Sequence, residues 1–248
     1  NKLEYSFSNM RWLTTEELAA LDAPDNTAER KQPGLGFHIP GAFDKVLHIN
    51  SCKLQDEISD HIRNAAYAYA VEHGIHFINL RSLDGVLRDM MVRVVTTGQI
   101  MVLIQAKITT PAEKDQFMGL MQYLSDSFPD ITSLLYVINN KCNDTFGDLD
   151  VHVYRGEEFI YETMENLRFK IGPKSFFQTN SRQAYRLYSV VRKLADLNPD
   201  ETVYDLYTGT GTIAQFLAAG AKKIIGIEYV PEAIEDAKAA DAVLMGSI

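Results

Sequence analysis

Cysteine is scarce in this chain. Cys52 and Cys142 are the only two among 248 residues, too few and too far apart to build a disulfide framework. A reducing cytoplasm is therefore the expected setting. Long apolar runs are missing as well. No stretch approaches the ~20 residues that cross a bilayer, and no secretory pattern opens the chain, so no membrane partner is expected. Positive charge is in deficit, with 24 Lys and Arg against 33 Asp and Glu and a net charge of −9. That balance excludes a nucleic-acid footprint spread over the whole surface. Internal repeats and low-complexity segments are also lacking. What remains, 46% hydrophobic and 23% charged residues, suits a globular chain able to bury a core in one or two domains.

The few positive charges are unevenly placed. Between Asn166 and Lys193 lie Arg168, Lys170, Lys174, Arg182, Arg186, Arg192 and Lys193, and no acidic residue. Such a stripe suits RNA phosphates. Arg168, Lys170, Lys174, Arg182 and Arg186 are the candidate contacts. Arg192 and Lys193 read better as cations at a helix C-terminus. Arg81, Arg88 and Arg93 form a second, sparse cluster. The acidic excess collects elsewhere, at Glu16, Glu17, Asp22, Asp25 and Glu29 and again at Glu157, Glu158, Glu162 and Glu165.

Periodicity divides the chain. Leu3, Tyr5 and Phe7 alternate with polar residues, which predicts a half-buried strand. Thr14-Thr-Glu-Glu17 has the pattern of a capping box opening a short helix, and the polar stretch from Asp22 to Gly34 reads as a loop. Helical spacing runs from Gln55 to His73 and stops at Gly74. Met90–Thr97, Gly98-Gln99 and Ile100–Gln105 make a hairpin signal. Pro111 opens a helix to about Phe128, and Ile131–Asn139 returns as a strand. Residues 1–165 therefore form an α+β domain. From residue 166 the pattern becomes α/β, with a helix capped by Asn180 or Ser181 and short strands at Val203–Tyr207 and Lys223–Glu228. Helices follow each strand, at Thr212–Ala219 and Pro231–Ala240, with Pro231 and Glu232 suited to a helix N-terminus.

The strongest motif lies in this second part. Asp205-Leu-Tyr-Thr-Gly-Thr-Gly-Thr212, followed by Glu228 at the end of the next strand, reads as strand, glycine loop, helix, strand and acidic residue. That is how an α/β fold builds a pocket for a nucleoside-bearing cofactor. Gly209 and Gly211 let the backbone turn sharply and approach a ligand. Glu228 is placed to accept hydrogen bonds from ribose hydroxyls. Gly209-x-Gly211-x-x-Ala214 also satisfies a relaxed dinucleotide fingerprint, so an NAD-dependent oxidoreductase stays open. Asp205 tilts the balance toward S-adenosyl-L-methionine, because a carboxylate on the strand can meet an ammonium group, whereas a pyrophosphate has no use for it. A plainer role for Asp205 is capping the turn or helix that follows.

The stretch Ser175-Phe-Phe-Gln-Thr-Asn180 upstream of this loop resembles the RNA uracil-C5 methyltransferase family. So do Gly34-Leu-Gly-Phe-His38, Phe43 to Gln55, and Asn143-Asp-Thr-Phe-Gly-Asp148, and the likeness runs to about Lys238. It implies a central, RNA-facing α+β domain over 1–165. Over 166–248 it implies the first part of a Rossmann-like S-adenosylmethionine-dependent methyltransferase domain. It implies uridine C5 methylation in rRNA or tRNA, with the cofactor held by Gln178, Asp205, Tyr207, Gly209, Gly211, Thr212 and Glu228. Thr208 stands where many members have Cys, and Thr212 where some have Asn. A non-catalytic RNA-binding module is the remaining alternative.

In this family a cysteine thiolate attacks C6 of uracil, and a carboxylate then removes the C5 proton. Both lie beyond an Asp-Pro-Pro-Arg motif that this sequence does not contain. The resemblance thus implies no catalytic residue in this chain and predicts a fragment, inactive alone, of a longer enzyme. Cys52 matches the last of four cysteines that bind a 4Fe-4S cluster in some members, the other three lying upstream of Asn1. Cys142 matches no catalytic position. The tail from Ala239 to Ile248 departs from the family.

Overall fold

Tyr5 and Phe7, predicted to face a core, are fully buried on strand β1 (Lys2–Ser8). The structure, a computed structural model, describes residues 1–22 and 31–239. Part of the predicted loop between Asp22 and Gly34, including Asp25 and Glu29, lies outside these residues, as does the tail from Ala240. The chain divides into two units. One comprises Lys2–Val94 and Ile100–Glu157; the other comprises Asn1, Val95–Gln99 and Glu158–Ile248. The division expected after Glu165 falls inside a hairpin of the second unit.

The first unit is built on a seven-stranded sheet. After β1 come β2 (Gly34–Ile39), β3 (Ala42–His48), β4 (Leu87–Val94), β5 (Ile100–Ala106), β6 (Ile131–Ile138) and β7 (His152–Gly156), in the order β3-β2-β1-β4-β5-β6-β7. All neighbours are antiparallel except β5 and β6, which are joined across helix α3 (Pro111–Ser127). A parallel pair requires such a crossover. Helix α1 (Thr15–Leu21) carries the predicted capping box between Thr14 and Glu17. Thr110 and Glu113 form another at α3, with Pro111 in its first turn. Helix α2 (Glu57–Glu72) packs on α3 and on the sheet, burying Ile62, Ala66 and Ala70 against Tyr5, Met90 and Phe117.

A bulge at Leu87/Asp89 interrupts the β4–β5 register. Arg88, 2% exposed, uses it to hold the segment that follows β6. Its Nη1 donates to the carbonyls of Asn139 (2.9 Å) and Lys141 (2.6 Å), and its Nη2 and Nε donate to Asp144 Oδ1 at 2.6 and 3.1 Å. Gln105 adds a bond to the Asp144 carbonyl at 3.1 Å. The Asn143–Asp148 motif is therefore a loop pinned by a buried guanidinium.

In the second unit, β8 (Ile160–Met164) and β9 (Leu167–Ile171) form a hairpin that sequence patterning did not reveal. Next come α4 (Ser181–Ala195), β10 (Thr202–Leu206), α5 (Thr212–Leu217), a short 3-10 turn (Ala218–Gly220), β11 (Lys223–Ile227) and α6 (Pro231–Ala239). Strands β10 and β11 are parallel. One face of the pair stays uncovered, with Tyr204 62%, Leu206 60% and Ile227 50% exposed. Two short parallel strands cannot close a core by themselves.

Candidate functional site

The Ser175–Asn180 motif reaches α4 as an alternating segment. Ser175 closes a turn on Gly172, accepting its N–H at 3.0 Å and donating to Asp236 on α6. Phe177 is buried, 5.8 Å from the Phe169 ring, while Phe176 on the other side is 75% exposed. Gln178 therefore faces outward. Asn180 is the N-cap of α4, accepting from the Gln183 N–H at 3.1 Å. Gln178, Asn180, Gln183, Arg186, Leu187 and Val190 line a shallow recess of about 430 Å³.

The glycine loop crosses from β10 to α5. Tyr207, Gly209 and Gly211 all take left-handed backbone, with φ of 62°, 58° and 72°. For the two glycines that conformation is free of strain; for Tyr207 it is not. A Cβ on Gly211 would lie 3.1 Å from Gln215 Nε2 and 3.2 Å from Ala237 Cβ. A Cβ on Gly209 would meet nothing within 4 Å, so the loop borders open space at that position. Tyr207 is 92% exposed, and Thr212 is buried as the first residue of α5.

Gly211 stands at the N-cap position of α5 without a side chain to cap it. Asp205 supplies the acceptor instead: its Oδ2 takes the Ala214 N–H at 3.1 Å and the Thr208 hydroxyl at 2.6 Å. The plainer reading of Asp205 is thus realised, and its Oδ1 lies outside these two bonds. Glu228, just past β11, draws the loop in. Its Oε2 accepts from Gly209 N–H at 2.9 Å, and its Oε1 from Tyr229 and Val230 N–H at 2.8 and 2.9 Å. The Val230 N–H, followed by those of Gly209 and Tyr229, holds the Glu228 carboxyl below the usual carboxylate range. It is a fixed, ionised acceptor at neutral pH. Open space beside Gly209, a carboxylate at the neighbouring strand tip and an exposed ring at Tyr207 suit a ribose-bearing cofactor.

The basic stripe separates into distinct roles. Arg168 lies 3.4 Å from the Tyr161 ring centroid, and Lys170 lies 4.3 Å from that of Phe159. Lys174, Arg182 and Arg186 are exposed, and among the described residues Arg182 and Arg186 have no ion-pair partner. Arg192 pairs with Glu165 at 2.7 Å on the α4 surface. Glu162, counted in sequence only among the acidic excess, is fully buried. It shares the inward face of β8 with Ile160 and Met164. Cys52 is half-buried, its N–H bonded to the Asp60 carboxylate at 3.0 Å, and Cys142 is exposed. Among the described residues no group of three or more His, Cys, Asp or Glu could hold a metal ion. No described helix is long and apolar enough to cross a membrane.

No family model matches the chain. An uncharacterized RNA methyltransferase of Bacteroides thetaiotaomicron is 58% identical over 238 residues, covering 96% of this chain and 51% of that protein. Another from Porphyromonas gingivalis is 52% identical over 240 residues, covering 96% and 50%. Among solved structures, the tRNA (uracil-54, C5)-methyltransferase of Pyrococcus abyssi, in complex with S-adenosyl-L-homocysteine, superposes with a TM-score of 0.68. It is 25% identical and covered to 51%, against 96% of this chain. The mixed α/β fold expected from sequence is thereby shown. The chain spans about half the length of the curated relatives it matches, and the similarity to these RNA methyltransferases runs along 96% of its own length.

Proposed function

We propose that this chain carries the cofactor-holding part and the RNA-facing part of an S-adenosylmethionine-dependent RNA uracil-C5 methyltransferase. The observation that carries the reading is the Gly209–Gly211 loop tied to the ionised Glu228 at the tip of β11. Glu228 would accept from the ribose hydroxyls. Gln178 and Tyr207 would contact the amino-acid end, and the unengaged Oδ1 of Asp205 would face the ammonium group. When bound, the cofactor supplies an electrophilic methyl group. The RNA would meet Arg168, Lys170, Lys174, Arg182 and Arg186, and the chain's likeness to a tRNA (uracil-54, C5)-methyltransferase supports uridine as the target base. Domain-wise, residues 1–165 would face RNA and 166–248 would hold the cofactor.

Calorimetric titration with S-adenosylhomocysteine tests the pocket. The wild-type chain is expected to bind, and Glu228→Ala to abolish binding. Tight binding of NADH with none of S-adenosylhomocysteine would instead favour the dinucleotide reading. Neither Cys52 nor Cys142 stands where the resemblance puts the nucleophile, so the 248-residue chain alone is expected to transfer no methyl. Incorporation of labelled methyl into uridine C5 would sink that expectation.

A further inference from the structure

Glu162 is a buried acidic residue on β8 that the candidate cofactor pocket does not include. Its side chain is fully buried, and none of its partners among the described residues is a cation. A buried carboxylate is costly unless donors converge on it, and here they come from three places. The Thr96 N–H reaches its Oε1 and Oε2 at 3.2 Å each, and the Thr96 hydroxyl bonds Oε1. The Thr163 N–H donates at 2.9 Å. The Ser181 hydroxyl donates to Oε2 at 2.5 Å. Ser181 is the first residue of α4, whose N-terminal dipole also favours a carboxylate.

We infer that Glu162 is a positioning residue for the cofactor pocket, locking Gln178 through Ser181 and tying it to the tip of the β4–β5 hairpin. The inference rests on the cofactor reading above. Gln178 lies between two anchors, the buried Phe177 on one side and Ser181, held by Glu162, three residues on. That leaves Gln178 and Thr179 little backbone freedom, although the Gln178 side chain is exposed. The hairpin tip is held by the same strand. Thr97 Oγ1 donates to the Tyr161 carbonyl at 2.7 Å, and Gln99 Oε1 accepts the Tyr161 N–H at 2.6 Å. One carboxylate thus joins Thr96 at the hairpin tip to Ser181, the residue that follows the Ser175–Asn180 motif, two segments far apart in sequence. A change at the tip should be felt in the pocket although it touches no cofactor atom.

The test combines S-adenosylhomocysteine titration with amide hydrogen exchange on the 248-residue chain. Glu162→Ala is expected to weaken binding about tenfold, the loss of one charged hydrogen-bond set, and Glu162→Gln to recover most of it. Exchange should quicken together at 96–97 and at 178–184. Ser181→Ala and Thr96→Val each remove a single contact and keep the inference testable if Glu162→Ala fails to fold; both should weaken binding. Glu165→Gln, on the surface beside Arg192, should leave affinity unchanged. Wild-type affinity in Ser181→Ala and Thr96→Val, or exchange that quickens at one segment only, overturns the inference. If the wild-type chain itself fails to bind, the cofactor reading falls, and the exchange pattern alone decides whether Glu162 couples the two segments.

Discussion

At the scale of single residues, the two glycines of the loop differ in a way sequence does not show. Both have left-handed backbone, but only Gly211 is also crowded, by Gln215 and Ala237. Gly209→Ala should cost about 1 kcal/mol from backbone strain. Gly211→Ala should cost more than about 2 kcal/mol, because contacts add to the strain. Urea denaturation of the two variants compares them directly; equal losses would count against the crowding argument. A second residue-scale prediction concerns Asp89. Its Oδ1 accepts from Ser6 at 2.8 Å, while its Oδ2 is buried without a partner. Burial, then repulsion from Asp144, pushes its carboxyl up to about 7 from an ordinary 3.8. The folded protein therefore holds a proton that the unfolded chain releases. Stability from this group is complete below 3.8 and is lost as pH rises toward about 7. Asp89→Asn should flatten the stability profile over that window, and a variant profile as steep as wild type would show that another group titrates.

At the scale of elements, Arg88 shows how one side chain fixes a loop. Removing it empties a buried site and takes the donor from the Asn139 and Lys141 carbonyls, while Asp144, 45% exposed, keeps access to water. Arg88→Ala should destabilise the chain by about 3 kcal/mol, with faster amide exchange concentrated in 139–148. Thermal melting and exchange together check this, and a loss confined to other segments would contradict it. Capping patterns were legible at this scale. The box at Thr14, Pro111 at the start of α3 and the cap at Asn180 stand where short-range sequence rules place them, because a cap depends on residues only three positions apart; the Thr110 box was seen only in the structure. The β8–β9 hairpin was not legible. Glu162 breaks its apolar pattern, and its turn uses Glu165 at φ 53° rather than a glycine.

At the scale of the whole chain, the net charge of −9 and the local stripe make opposing demands. RNA binding through a stripe on an acidic protein should be weak and steeply dependent on salt. Replacing Arg182 and Arg186 with Gln should lower the slope of log K against log salt by about 1 for each phosphate contact removed. Filter binding across a salt series measures this; an unchanged slope would move the RNA contact elsewhere on the surface.

Short-range physics determined much of this protein from its sequence. Periodicity placed the helices and strands β1, β4, β5, β6, β10 and β11 but not β2, β3 or β7, and the glycine loop with Glu228 marked the candidate cofactor pocket, because strand, turn and helix chemistry act over a few residues. What only the tertiary structure decided was the use of each polar group. Asp205 became the cap that Gly211 cannot be, Arg88 became the anchor of a loop some fifty residues away, and Glu162 left the acidic surface for the interior. Each outcome depends on which donors the fold brings within reach. A buried carboxylate or guanidinium is stable only where distant segments converge on it.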